Sequence, residues 1–191
     1  MCAEDFVKQS RNQKVRHWVK ATLKAEIILL SFILTFCLIS PSIAGKDCPG
    51  CDYSGNMLKG ADLKDADYPG ANFQGANLSN ANMANSRFTE AKFHGALMTG
   101  ARLVSCNLES ANVTGAILQD ADLSGCSLAG ADFSGAILSK AKLTGADISN
   151  TNFSNTILAG TDFSGATGDG ADFTNAQTCG AIMPDGQPGT C

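Results

Sequence analysis

From Leu58 to Phe163 a large apolar residue falls at every fifth position, 22 times without an insertion. Two places before most of these centres stands a small residue, usually Ala (Ala61, Ala71, Ala81, Ala131), and a mostly polar residue separates the pair. Small and large apolar side chains two apart form the alternation of a strand, here held for only three or four residues. The fifth residue is mostly Gly, Asn, Asp or Ser, types that tolerate turns and left-handed backbone. Each quintet therefore predicts one short extended side and one corner. A fixed period of this kind predicts a solenoid.

The number of sides follows from the spacing of the aromatic centres. Tyr53, Phe73, Phe93, Phe133, Phe153 and Phe173, with Val113 among them, form one series at intervals of 20. Cys106 and Cys126 keep the same interval at the small position. Four quintets per turn place residues 20 apart on top of one another. The prediction is a four-sided parallel solenoid with coils roughly 4.8 Å apart.

Quintets such as Ala61-Asp62-Leu63-Lys64-Asp65 and Ala71-Asn72-Phe73-Gln74-Gly75 resemble those of the pentapeptide-repeat family, and the resemblance covers about two-thirds of the chain. It implies an all-β fold, a right-handed quadrilateral parallel β-helix with the centre and the small residue pointing inward. It also implies a scaffold or interaction rod. The family includes gyrase-binding proteins that mimic DNA and confer quinolone resistance, so inhibition of a topoisomerase-like target is the alternative.

The repeat is preceded by a different kind of sequence. Met1 to Lys24 carries Lys8, Arg11, Lys14, Arg16, Lys20 and Lys24 against Glu4 and Asp5, and an apolar run of 14 residues, Ile27 to Ser40, follows. That run is short for a membrane-spanning helix of about 20 residues but fits the core of a secretory signal. Pro41-Ser42-Ile43-Ala44 offers small residues at a cleavage position. Bulky Phe36 before Cys37 argues against lipid attachment, and Glu4, Asp5 and Glu26 against an organelle transit peptide. The expected organisation is a signal peptide (with a helical core) or membrane anchor over 1–44, an N-terminal cap over 45–57, the solenoid over 58–175 and a C-terminal cap over 176–191. Export places the protein in the periplasm or medium, or on the membrane if the head stays uncleaved.

Removing the head changes the charge. It takes 6 of 14 basic and 3 of 18 acidic residues, leaving 8 and 15, a net of −7. An acidic body disfavours nucleic acid and anionic membrane surfaces. The expected partner is another protein or a second copy of the chain.

Six cysteines remain after the head: Cys48, Cys51, Cys106, Cys126, Cys179 and Cys191. In an oxidising compartment they are disulfide candidates whose pairing the sequence leaves open. Cys48-Pro49-Gly50-Cys51 precedes the array and Cys179 and Cys191 follow it, where solenoid ends need closing. A redox-active dithiol at Cys48 and Cys51 is the competing reading, but nothing nearby predicts the helix N-terminus that lowers a thiol pKa. Cys106 and Cys126, stacked in one inward column, are expected to be free buried thiols. Zinc is disfavoured by the spacing, and no cofactor is implied. With His17 in the head and His94 facing outward, no catalytic constellation forms, and the chain is expected not to be an enzyme.

The outward positions separate into columns. Arg102, Asp122, Lys142 and Asp162 alternate in sign from coil to coil, predicting a solvated face stabilised by stacked charges. Leu97, Ile117, Ile137 and Ile157 hold the same outward position on another side, where Asp or Asn stands elsewhere. This aliphatic stripe, roughly 15 Å long at the strand spacing, is the expected binding face.

Overall fold

The structure, a computed structural model, describes residues 47–191; the signal segment expected over 1–44 lies outside the described residues. Every backbone bridge but one is parallel and joins residues 20 apart, from Asp47 with Asp67 to Asp162 with Ile182. A four-sided coil follows, with one column of outward residues per side. The first face runs from Asp47 to Thr167, the second from Asp52 to Asp172, the third from Met57 to Gln177 and the fourth from Asp62 to Ile182.

One quintet shows how the backbone is satisfied. The Ile117 N–H donates down to Ala96 O at 2.9 Å, and the Leu118 N–H donates up to Ile137 O at 2.7 Å. Asp120 N–H reaches Ser139 O at 3.0 Å, and Ala121 N–H closes the corner on Leu118 O at 3.0 Å. The third residue of the corner has positive φ, 58° at Asp120, which is the geometry of a type II turn. Glycine fills most such corners because it adopts that region without strain.

Inside, the centres and small residues are buried nearly completely. Tyr53 stacks on Phe73 at 4.9 Å and Phe73 on Phe93 at 5.0 Å, while Phe88 meets Phe73 edge-on at 5.9 Å. Phe133, Phe153 and Phe173 rebuild the column higher up, with steps of 5.4 and 5.2 Å. Between the two aromatic segments lies an aliphatic waist of Leu108, Val113 and Leu128.

Polar residues at the small position obey one rule. Ser86 donates to Leu63 O at 2.7 Å, Thr151 to Leu128 O at 2.9 Å, Thr156 to Phe133 O at 3.2 Å and Thr161 to Leu138 O at 2.8 Å. Each hydroxyl meets the carbonyl of a centre 23 residues earlier. A buried hydroxyl left without a partner costs about 1–3 kcal/mol, and no buried side-chain N or O among the described residues is in that state.

The ladder is longer than the quintet pattern indicates. It begins at Asp47, within the stretch expected to be a cap over 45–57, because Cys48-Pro49-Gly50-Cys51 is itself a repeat corner. It lies one coil beneath Tyr68-Pro69-Gly70-Ala71, with Gly50 at φ 68° and Gly70 at φ 64°. Proline then glycine at the two middle positions is the preferred chemistry of a type II turn. Cys48 and Cys51 occupy inward positions of this first coil and form a disulfide, Cα to Cα 5.5 Å.

At the other end the pairing continues past residue 175 through Gln177 and Ile182. The tail then turns back: Ile182 pairs antiparallel with Pro188, Gly189 N–H donates to Ala181 O at 2.8 Å, and Cys179 bonds Cys191. Gly189 is required there, since a Cβ would collide with the Thr178 carbonyl. Gly168 replaces a centre for the same reason: at φ 113° its backbone lies against Ser149, whose N would sit 2.5 Å from a Cβ.

Candidate interaction face

The third face brings Leu97, Ile117, Ile137 and Ile157 into one unbroken column, each bridged to the next. All four point outward; their neighbours Met98, Leu118, Leu138 and Leu158 are the buried ones. The ridge is lower than the sequence suggests. Leu97 is 39% exposed, but the three isoleucines are half-buried, because Cβ branches stacked one coil apart cover each other. Asn77 and Gln177 bound the column, and beyond Asn77 stands Met57, 74% exposed.

The other faces show what these residues displace. An outward Asp or Asn accepts a hydrogen bond from the N–H two residues on, inside the corner: Asp122 from Ser124 at 3.0 Å, Asp132 from Ser134 at 2.9 Å, Asn152 from Ser154 at 2.9 Å and Asp162 from Ser164 at 2.9 Å. This is an Asx turn, a local bond that satisfies a donor the ladder leaves over. On the third face Asn77 makes it with Ser79 at 3.1 Å. Leucine and isoleucine have no acceptor, so the N–H groups of Thr99, Gln119, Ser139 and Ala159 make no hydrogen bond among the described residues. Four consecutive coils therefore forgo a bond worth about 0.5–1.5 kcal/mol each.

The charges behave differently from the expected ladder. Asp122 and Asp162 turn to Ser124 and Ser164 in their own corners, and neither makes an ion pair with Arg102 or Lys142 within 4.0 Å. Among the described residues the ion pair within that distance is Arg87 with Asp67 on the first face, two-pronged at 2.7 and 2.8 Å. Asp67 is available for it because the residue two places on is Pro69, which has no N–H to cap. Hydrogen bonds from Arg87 hold the Asp67 carboxyl below its usual range and raise the guanidinium in turn. The Ser164 hydroxyl and N–H lower Asp162, and Ser149 and Thr174 do the same for Asp147 and Asp172. In the core, burial pushes Tyr68 up to about 12.

The remaining candidates occupy ordinary positions of the repeat and its ends. Cys106 and Cys126 are buried free thiols with sulfurs 2.8 Å apart, and the Cys126 S–H also lies 2.8 Å from Leu103 O, following the hydroxyl rule. Burial pushes the Cys106 thiol well up, away from the reactive thiolate. The Cys48–Cys51 corner contains no helix N-terminus. His94 shares a hydrogen bond with Thr114 at 2.7 Å on the surface. No group of three His, Cys, Asp or Glu among the described residues could hold a metal ion.

The border of the third face carries charges that the quintet pattern alone does not single out. Asp120 and Lys140 stand at its border in corners otherwise largely given to glycine, with φ of 58° and 61°. Lys140 was the available signal, a lysine in a left-handed corner, whereas acidic residues take such corners elsewhere at Asp65 and Glu90.

Comparison with known proteins agrees with the geometry. The profile described as pentapeptide repeats matches in 8 copies, over residues 57–95, 70–103, 101–145, 116–155 and 146–183. No curated protein matches the chain. Among solved structures it is similar to HetL, a pentapeptide repeat protein involved in heterocyst differentiation regulation in the cyanobacterium Nostoc sp. PCC 7120, at 23% identity over 83% of this chain and 98% of that one (TM-score 0.30). It is similar to QnrB1, a plasmid-mediated fluoroquinolone resistance protein, at 20% identity over 68% and 80% (TM-score 0.38). A pentapeptide repeat protein of the Arabidopsis thaliana thylakoid lumen is 26% identical over 67% and 72% (TM-score 0.29). With the register of 20, the inward Ala and Leu or Phe columns and the repeat match across residues 57–183, the chain belongs to the pentapeptide-repeat family.

Proposed function

We propose that this chain is an exported, non-enzymatic interaction rod that binds protein through its third face. One observation carries the reading: Leu97, Ile117, Ile137 and Ile157 hold an outward column where Asp or Asn would cap the corner, so four coils give up local hydrogen bonds for an apolar stripe. Nothing in the fold requires that exchange, whereas a contact surface does. Export rests on the basic and apolar head followed by Ala44, and the disulfides at both ends suit an oxidising compartment. DNA mimicry is less favoured, because Arg87, Lys92 and Arg102 interrupt the acidic columns of the first, second and fourth faces.

The test is the size of the protein in solution by light scattering. Ile117→Asp with Ile137→Asp should keep the β-rich circular dichroism spectrum and abolish association. A monomeric wild type whose size the pair leaves unchanged removes the stripe as a binding face.

A further inference from the structure

We propose that the occupant of the third face is a second copy of this chain, lying antiparallel, with Ile117 of each copy against Ile137 of the other. The proposal rests on the stripe being a binding face and adds its partner and register.

Two copies meeting face to face can be related by a two-fold axis along the solenoid or along the strand direction. The second reverses the order of coils. Centred between Ile117 and Ile137, that reversal maps the third-face column onto itself: Ile117 falls on Ile137, Leu97 on Ile157 and Asn77 on Gln177. Aliphatic meets aliphatic and amide meets amide from Asn77 to Gln177, with Met57 outside the matched span.

The bordering corners obey the same symmetry. Gly100 falls on Gly160, Gly115 on Gly135, Gln119 on Ser139, and Asp120 on Lys140. Between residues 94 and 160, Asp120 and Lys140 are the formally charged residues that border the stripe, and both are exposed. They carry opposite signs in consecutive coils, so the reversal brings each beside its opposite in the other copy, forming two equivalent ion pairs. Within one chain they form no ion pair within 4.0 Å among the described residues. Both sit at positive φ in a column whose other members are Gly60, Asn80, Gly100, Gly160 and Gly180, types that adopt that conformation readily. A lysine there is disfavoured by the backbone, which sets it apart from an ordinary surface charge. With the axis along the solenoid instead, the same charges face Thr114 and Ser134 and meet no opposite.

The border is otherwise formally uncharged, and Thr99, Ser139, Ala159 and Ser134 keep much of it low beside the stripe, with Gln119 and His94 the larger side chains. Ion pairs at such a rim act more on register than on affinity.

The experiment is sedimentation equilibrium over a wide concentration range, on the chain as recovered from an exporting host. The wild type should form a dimer. Asp120→Lys alone and Lys140→Asp alone each turn both attractive pairs into repulsive ones, weakening the dimer about tenfold. The two together restore it, because the swapped charges again meet their opposites. A double swap no tighter than the single ones, with Ile117→Asp and Ile137→Asp still abolishing the dimer, overturns the antiparallel register and leaves the binding face standing. A dimer indifferent to Ile117→Asp and Ile137→Asp overturns both.

Discussion

The third and fourth faces share one backbone geometry and part most sharply at the outward residue of each coil. Ile117 and Asp122 are five positions apart, and both bridge to the coils above and below. Asp122 uses its carboxylate on the Ser124 N–H and hydroxyl, at 3.0 and 2.6 Å; Ile117 leaves the Gln119 N–H without a partner among the described residues. The outward position is thus free of packing duty but carries a small local one. Where that duty is met the residue needs no further explanation; the proposed contact accounts for the four consecutive coils of the third face that give it up.

The comparison is broken most forcefully by moving one residue along the chain. Leu118→Ala, from the buried neighbour of Ile117, should cost about 2–5 kcal/mol in denaturant unfolding, whereas Ile117→Ala should cost less than about 1 kcal/mol. Equal losses would mean that the stripe is core.

Exchanging the cap between faces gives the next effect. Asp122→Ala should destabilise by about 0.5–1.5 kcal/mol, while Ile137→Asn should be neutral or stabilising, since Asn can cap the Ser139 N–H. A clear loss of stability in Ile137→Asn would show that the aliphatic column supports the fold.

Acid separates the faces without changing the stripe. Because Asp162 and Asp147 have folded pKa values below their unfolded ones, their stabilisation is complete above about pH 4 and is lost as pH falls through the lower folded values. Asp162→Asn should flatten the acid limb of thermal stability, and Ile137→Ala should retain the wild-type slope. An unchanged limb in Asp162→Asn would remove the cap as the cause. The smallest effect is expected at the border, where Lys140→Gly should relieve the left-handed corner by about 0.5–1 kcal/mol in unfolding measurements. The same variant should weaken self-association in sedimentation, and a loss of stability instead would assign Lys140 a role within its own chain.

Much of the coil was legible in advance because its information is local and repeated. Phe133 beneath Phe153, or Ile117 beneath Ile137, follows from counting, since an inward position accepts only apolar or small side chains and each corner only certain backbones. The first corner was legible too: Cys48-Pro49-Gly50-Cys51 stands 20 residues before Tyr68-Pro69-Gly70-Ala71. Its cysteines drew attention to redox chemistry, and the proline and glycine that set the turn were the better signal. Arg102 and Asp122 show the opposite limit. Their stacking was predictable, but whether Asp122 reaches the arginine or its own Ser124 depends on competing geometries a few tenths of an ångström apart.

By itself, then, the sequence determined the period, the four sides, the inward columns and the place of the aliphatic stripe, because side-chain size and backbone preference act within five residues. Tertiary structure alone decided how far the ladder runs past residue 175, that Cys48 pairs with Cys51 and Cys179 with Cys191, how deeply the isoleucines sink, and which carboxylate caps a corner instead of joining an ion pair. Those outcomes turn on distances between groups that meet only once the coils are stacked.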